Sequence, residues 1–127
     1  MNTSRKTSIA LAATIALMTV AAPAHADSSG ISGSIAVTAR GSGGHVTQVY
    51  AIVTSVGPLL AFDGFFRLFG PDYNATSETR RWGQGSLYYH NVNRDYASGQ
   101  KHCAEGWRKK DDGTFELIGR PCVENPI

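Results

Sequence analysis

CAEGWRKKDDGTFELIGRPC, residues 103–122, is the stretch whose reading decides the fold. Asp112-Gly113 is a favoured two-residue hairpin turn, because both residues tolerate positive φ. Centring a hairpin there sets Cys103 opposite Cys122, Glu105 opposite Arg120, Trp107 opposite Ile118 and Lys109 opposite Glu116. One register thus aligns a cysteine pair, two opposite-charge pairs and an apolar pair, each a stabilising cross-strand partnership. A disulfide closing this loop contributes about 3 kcal/mol in the chain-entropy account. The rival is a metal site using His102 beside Cys103, but it lacks the usual four-ligand spacing. In this register the cysteines fall on a hydrogen-bonded pair, whose wider Cα spacing must still fit the disulfide.

Working outward, the texture upstream is also β. Val46 to Val56 is rich in Val, Thr, Tyr and Ile and reads as a strand broken by Gly57-Pro58. Gly64 to Phe69 is a second, ended by Gly70-Pro71, and Ser86 to Val92 a third. Asp72 to Arg81 between them is a polar loop. No segment after residue 26 holds a helical period over three turns. The expectation is an all-β domain, a small antiparallel β-sandwich or barrel over residues 45–127, with one disulfide-closed C-terminal hairpin.

Residues 27–44 differ in composition. Ten of these 18 residues are Gly or Ser, which predicts a flexible arm. Inside it lies a β-prone segment, Ile35-Ala36-Val37-Thr38-Ala39, followed by Arg40. A strand-prone peptide on a tether suits addition to a partner's sheet edge or cleft, with Ile35, Val37 and Ala39 facing one way and Ala36 and Thr38 the other. The competing reading is a first strand of the protein's own sheet.

Residues 1–26 read as a cleavable secretory signal. Arg5 and Lys6 form its positive start, Ile9 to Val20 its apolar run, and Ala22-Pro23-Ala24-His25-Ala26 holds two overlapping Ala-x-Ala cleavage sites. The run is too short for a membrane span. Cleavage after Ala26 lowers Lys+Arg from 12 to 10 against 10 Asp+Glu, so the exported chain is near neutral. That leaves no electrostatic footprint for nucleic acid or an anionic membrane. Secretion also suits the disulfide.

No catalytic motif is present: there is no Gly-x-Ser-x-Gly elbow, no His-Glu-x-x-His and no phosphate loop. His45, His90 and His102 read as surface or strand-edge residues, and Asp111-Asp112 as turn chemistry. The expectation is a protein that is not an enzyme, with no cofactor and no metal. Asp72 to Ser77 looks somewhat like a βγ-crystallin calcium loop, with Tyr73 breaking the pattern. Phe62, Phe65, Phe66, Phe69, Trp82, Tyr88, Tyr89 and Trp107 are either core or a contact face.

Phe66-Arg67-Leu68-Phe69-Gly70-Pro71, Trp82, Cys103 to Arg108 and Phe115 to Cys122 resemble small secreted β-proteins of Streptomyces and related actinobacteria. Among these the chain is most similar to the small adaptor subunit of umbrella toxin particles, on size, signal, Gly/Ser arm and two-Cys β-domain. The resemblance implies a secreted adaptor in an extracellular antibacterial complex, linking a repeat-bearing stalk subunit to a lectin-bearing subunit. It places the docking stretch at Ile35 to Arg40. Two alternatives stand beside it. One is a secreted inhibitor of an extracellular enzyme, binding through Asp72 to Arg81. The other is a calcium-binding antimicrobial protein of βγ-crystallin form.

Overall fold

The structure, a computed structural model, describes residues 27–125; the signal expected at residues 1–26 lies outside them. Among the described residues ten strands form two antiparallel sheets. The first sheet runs β1 (Ser28–Ser32), β2 (Ile35–Ser42), β3 (His45–Val53) and β7 (Leu87–Asp95). The second is centred on β4 (Ala61–Phe69) and β8 (Lys101–Lys109). β5 (Asn74–Thr76) and β6 (Arg80–Gly83) share the outer side of β4. β9 (Phe115–Gly119) and β10 (Cys122–Glu124) share the outer side of β8.

Packed face to face, the sheets enclose one core. Ile35, Val37, Ala39, Val46, Val49, Ala51 and Val53 line it from the first sheet; Phe62, Phe66, Leu68, Trp82, Ala104 and Val123 line it from the second. The rings of Phe62 and Trp82 both meet that of Phe66 edge-on, at 5.3 and 5.0 Å. Val46 and Val49 both point inward although three residues apart, because β3 is bulged between Val46 and Gln48. The matching distortion on β7 sits at Asn93, which holds φ at 53°.

The Gly/Ser-rich stretch is not a tether. Residues 27–44 were expected to form a flexible arm; instead β1 and β2 within them pair with each other, and β2 pairs with β3. The physical reason is turn chemistry. Gly43 and Gly44 both take positive φ (60° and 86°) in the two-residue link from Ser42 to His45, the mark of a type I′ hairpin turn. Gly33-Ser34 makes the preceding two-residue link. These glycines are turn residues, and the competing own-sheet reading is the one that holds.

The C-terminal hairpin forms as expected, with one correction. Near the cysteines the expected register holds: Cys103 pairs with Cys122 and is disulfide-bonded to it. Near the turn it is displaced by one residue, so Trp107 faces Leu117 and Arg108 faces Glu116. The loop has three residues, Asp111 to Gly113, with Gly113 at φ 87°, the pattern of a type I turn closed by a left-handed residue. A bulge between Gly106 and Trp107 restores the outer register. Expected Lys109–Glu116 is therefore replaced by an Arg108–Glu116 ion pair. The shift also brings the cysteine Cα atoms to 4.1 Å, the spacing of a close pair without ladder hydrogen bonds.

If Ile35 is core rather than arm, Ile35→Ala costs about 2–5 kcal/mol in denaturant unfolding, whereas a substitution on a free tether stays within about 0.5 kcal/mol. A midpoint unchanged from the parent protein contradicts the burial of β2.

Candidate functional site

Alternation in paired strands sends every second side chain to solvent, so each sheet has an outer face. On the first sheet the register aligns these residues in rows. Ile31, Ala36, Ile52 and Leu87 form an apolar row across all four strands. Ser29, Thr38, Tyr50 and Tyr89 form a row of hydroxyls beside it. Ile31 is 60% exposed, Leu87 46% and Tyr89 52%. The low side chains of Ala36 and Thr38 floor a shallow groove of about 470 Å³, walled by Ile31, Ile52 and Val56.

On the opposite side of the sandwich, β4, β8 and β9 present Phe65, Trp107, Phe115 and Leu117. Phe65 stacks on Trp107 at 6.3 Å and meets Phe115 edge-on at 5.0 Å, while Leu117 is paired with Trp107. Phe115 and Leu117 remain 38% and 41% exposed. Of the aromatics singled out in the sequence, Phe62, Phe66 and Trp82 are core, whereas Phe65, Trp107 and Tyr89 are surface. Sequence reading missed Phe115, whose signal was its place at the start of the hairpin's returning strand.

Beside this aromatic patch, Glu105 is only 1% exposed and held by three donors. Arg67 Nη1 and Trp107 Nε1 each donate to Oε1 at 3.0 Å. Arg120 Nε donates to Oε2 at 2.7 Å, and its Nη2 lies 2.6 Å away. The expected Glu105–Arg120 pairing is present and is joined by Arg67. Burial pushes the carboxyl up, but the bonds from Trp107, Arg67 and Arg120 outweigh it, and the pKa falls below its ordinary value. Arg67 also lies over the Phe69 ring at 4.2 Å. This clamp fixes the guanidiniums of Arg67 and Arg120 at the rim of the patch.

A second polar network joins the sheets at one end. His102 is fully buried. Asn125 Nδ2 donates to the carbonyls of Gly44 and Tyr96, at 3.1 and 2.9 Å, so its Oδ1 faces His102. His102 Nε2–H therefore donates to Oδ1 at 3.1 Å, and Nδ1 accepts the Tyr73 hydroxyl at 2.8 Å. Both ring nitrogens are used by a neutral imidazole, and burial lowers the pKa of His102. Tyr73 stacks against His102 and His90, at 5.9 and 5.4 Å. Next to them Asp72 accepts from Tyr96 and Arg94, both at 2.7 Å; the Tyr96 bond leads in lowering its pKa. The Tyr73 and Tyr96 phenols are pushed up, chiefly by burial.

Each residue set named from the sequence now has a place. Ile35, Val37 and Ala39 are fully buried in the core, so as partner-binding residues they are corrected. Ala36 and Thr38 lie on the outer face, as the alternation required, and form the groove floor. Arg40 is exposed at the edge of that face, 3.6 Å from Asp27. The proposed calcium loop is spent on protein contacts: Asp72 is engaged as above, and Asn74 Oδ1 accepts from Arg67 Nε at 2.9 Å. Among the described residues no group of three or more His, Cys, Asp or Glu is placed to hold a metal ion. The loop expected over Asp72 to Arg81 holds β5 and the first two residues of β6, so half of it is sheet.

Comparison with protein-family models, with curated proteins and with solved structures finds no match for this chain.

The two buried groups titrate in separate windows. His102 has a folded pKa below its ordinary 6.5, so the folded chain binds fewer protons there; its contribution is whole above pH 6.5 and is lost as pH falls below it. Glu105 has a folded pKa below its ordinary 4.5, so its contribution is lost only as pH falls below that value. Melting temperature plotted against pH is expected to fall in two stages, with His102→Gln flattening the upper stage alone. Glu105→Gln is expected to cost about 1–3 kcal/mol at pH 7, less than for a wholly buried pair because both guanidiniums keep water contact. An unaltered upper stage in His102→Gln contradicts the assignment.

Proposed function

We propose that this protein is a secreted, non-enzymatic adaptor that joins two other proteins of an extracellular antibacterial complex, one on each outer face of its sandwich. The observation that carries this reading is the pair of apolar faces on opposite sides of one thin domain: the Ile31–Leu87 row and the Phe65–Trp107–Phe115–Leu117 patch. Aromatic anchors ringed by arginines are the composition of energetic centres in protein interfaces. Here Arg67, Arg108 and Arg120 stand around the aromatic patch, each paired with a carboxylate.

The partners suggested by the resemblance are a lectin-bearing subunit and a repeat-bearing stalk subunit. The docking mode differs from the one that resemblance implies. Ile35 to Ala39 is used within the domain's own sheet, so the contact is made by outer faces and not by an inserted arm. A disulfide-stapled sheet presents such faces with little ordering cost on binding, because the residues are already fixed.

The test is recovery of partners from native culture supernatant on the tagged protein. Two large secreted proteins are expected. Phe115→Ser with Leu117→Ser is expected to lose one of them, and Leu87→Ser with Val56→Ser the other, each by about 10-fold or more in affinity. All four residues are surface-exposed. Recovery of a single hydrolase insensitive to both double variants would replace this reading with the inhibitor. Recovery of no protein would overturn it.

A further inference from the structure

The two sheets have four edges, and three of them are built against pairing. The β7 edge carries the Asn93 distortion, followed by Arg94 and Asp95. The outer edge on β4 is split into a three-residue and a four-residue strand, the second opening on Arg80-Arg81. The outer edge on β8 is split by Arg120-Pro121 between β9 and β10. Bulges, charges, proline and short strands are the usual means of blocking edge association.

The β1 edge has no bulge, charge or proline. Its half-buried side rests on the β9–β10 link, where Arg120 N–H donates to Ser32 Oγ and Gly30 lies against the Cys122 carbonyl, while Ser29 and Ile31 stay exposed. Its sequence, Ser28-Ser29-Gly30-Ile31-Ser32, holds no charge and no proline, and its pairing with β2 runs without a register shift. The tight link at Gly33-Ser34 makes Ser32–Ile35 a hydrogen-bonded pair, so by alternation Gly30–Val37 and Ser28–Ala39 are as well. Ser29 and Ile31 then turn their N–H and C=O groups away from β2, towards the free edge. Ile31 is also among the most exposed large apolar residues described.

We infer that β1 is a pairing edge and that its occupant is the β1 strand of a second copy of this chain. The edge is self-complementary. A two-fold axis at Gly30 sets Gly30 against its own copy, Ser29 against Ile31 and Ser28 against Ser32. The outward pairs Ser29–Ile31 then exchange hydrogen bonds across the axis, as an isologous contact requires. No like charges come face to face, because the strand has none. The two first sheets become one continuous eight-stranded sheet, twice the four strands of each copy. Both apolar faces of each copy stay open, so the inference does not depend on the adaptor reading. A five-residue edge buries less surface than a typical stable dimer, roughly 1,200–2,000 Å² in total, so association is concentration-dependent.

Sedimentation velocity of the purified protein over a wide concentration range tests this. The weight-average mass is expected to rise towards twice that of one chain. Ser29→Pro removes the outward N–H without touching the β1–β2 ladder, and an edge strand tolerates proline there. It is expected to return the protein to a monomer at every concentration, while Ser29→Ala, which keeps the N–H, continues to dimerise. Thermal melting of both variants, matched to the parent, establishes that the domain is intact; if Ser29→Pro unfolds, Ile31→Lys serves in its place. A parent protein monomeric throughout overturns the inference. So does a dimer that persists in both Ser29→Pro and Ile31→Lys.

Discussion

Ile35 is the contact on which the arrangement of the two sheets depends. It lies at the start of β2, fully buried, and packs on the cross-strand pair Gly106–Gly119 of the opposite sheet. A Cβ at Gly106 would stand 2.7 Å from its Cδ1, and one at Gly119 2.9 Å from its Cγ1. The two glycines leave a notch, and the isoleucine fills it. The same place holds the bulge that changes the hairpin register, so the notch, the bulge and the seating of the sheets are one feature. Because the hydrophobic contribution scales with apolar surface removed from water, a small domain depends heavily on such close fits.

Among the described residues every buried side-chain nitrogen and oxygen has a hydrogen-bond partner. That constraint explains the two networks. Glu105 is tolerated under the aromatic patch because Arg67, Arg120 and Trp107 supply donors to both its oxygens. His102 is tolerated because Asn125 and Tyr73 supply one acceptor and one donor, which matches a neutral imidazole. Asn125 in turn ties the β2–β3 turn at Gly44 to the Tyr96 loop. The proposed docking would use the surfaces these networks hold in place. The clamp keeps the rim of the aromatic patch in place, and the disulfide keeps β10 against β8.

The surfaces were only partly legible beforehand. Trp107, Phe65 and Tyr89 stood out as aromatics, yet nothing local separates them from Phe62, Phe66 and Trp82, which share their texture and fill the core. Phe65 and Phe66 are neighbours with opposite fates, and only the phase of β4 relative to the core tells them apart. The row Ile31–Ala36–Ile52–Leu87 joins four segments distant in sequence. It exists only once three strand registers are set, so no window along the chain contains it.

By itself the sequence determined the strand-rich character, the disulfide and the approximate hairpin around Asp112-Gly113, because these follow from β propensity, turn chemistry and short-range pairing. It also determined that Ile35, Val37 and Ala39 share one face, since alternation is a property of any extended strand. What lay opposite that face was decided by the tertiary structure alone. The same alternating peptide suits a partner's cleft or its own core, and the choice turned on the Gly106–Gly119 notch, some seventy residues away in the chain. Likewise the one-residue shift at the hairpin was decided by the loop's left-handed Gly113 and the bulge at Gly106 beneath Ile35, with Arg108 taking the place of Lys109 opposite Glu116.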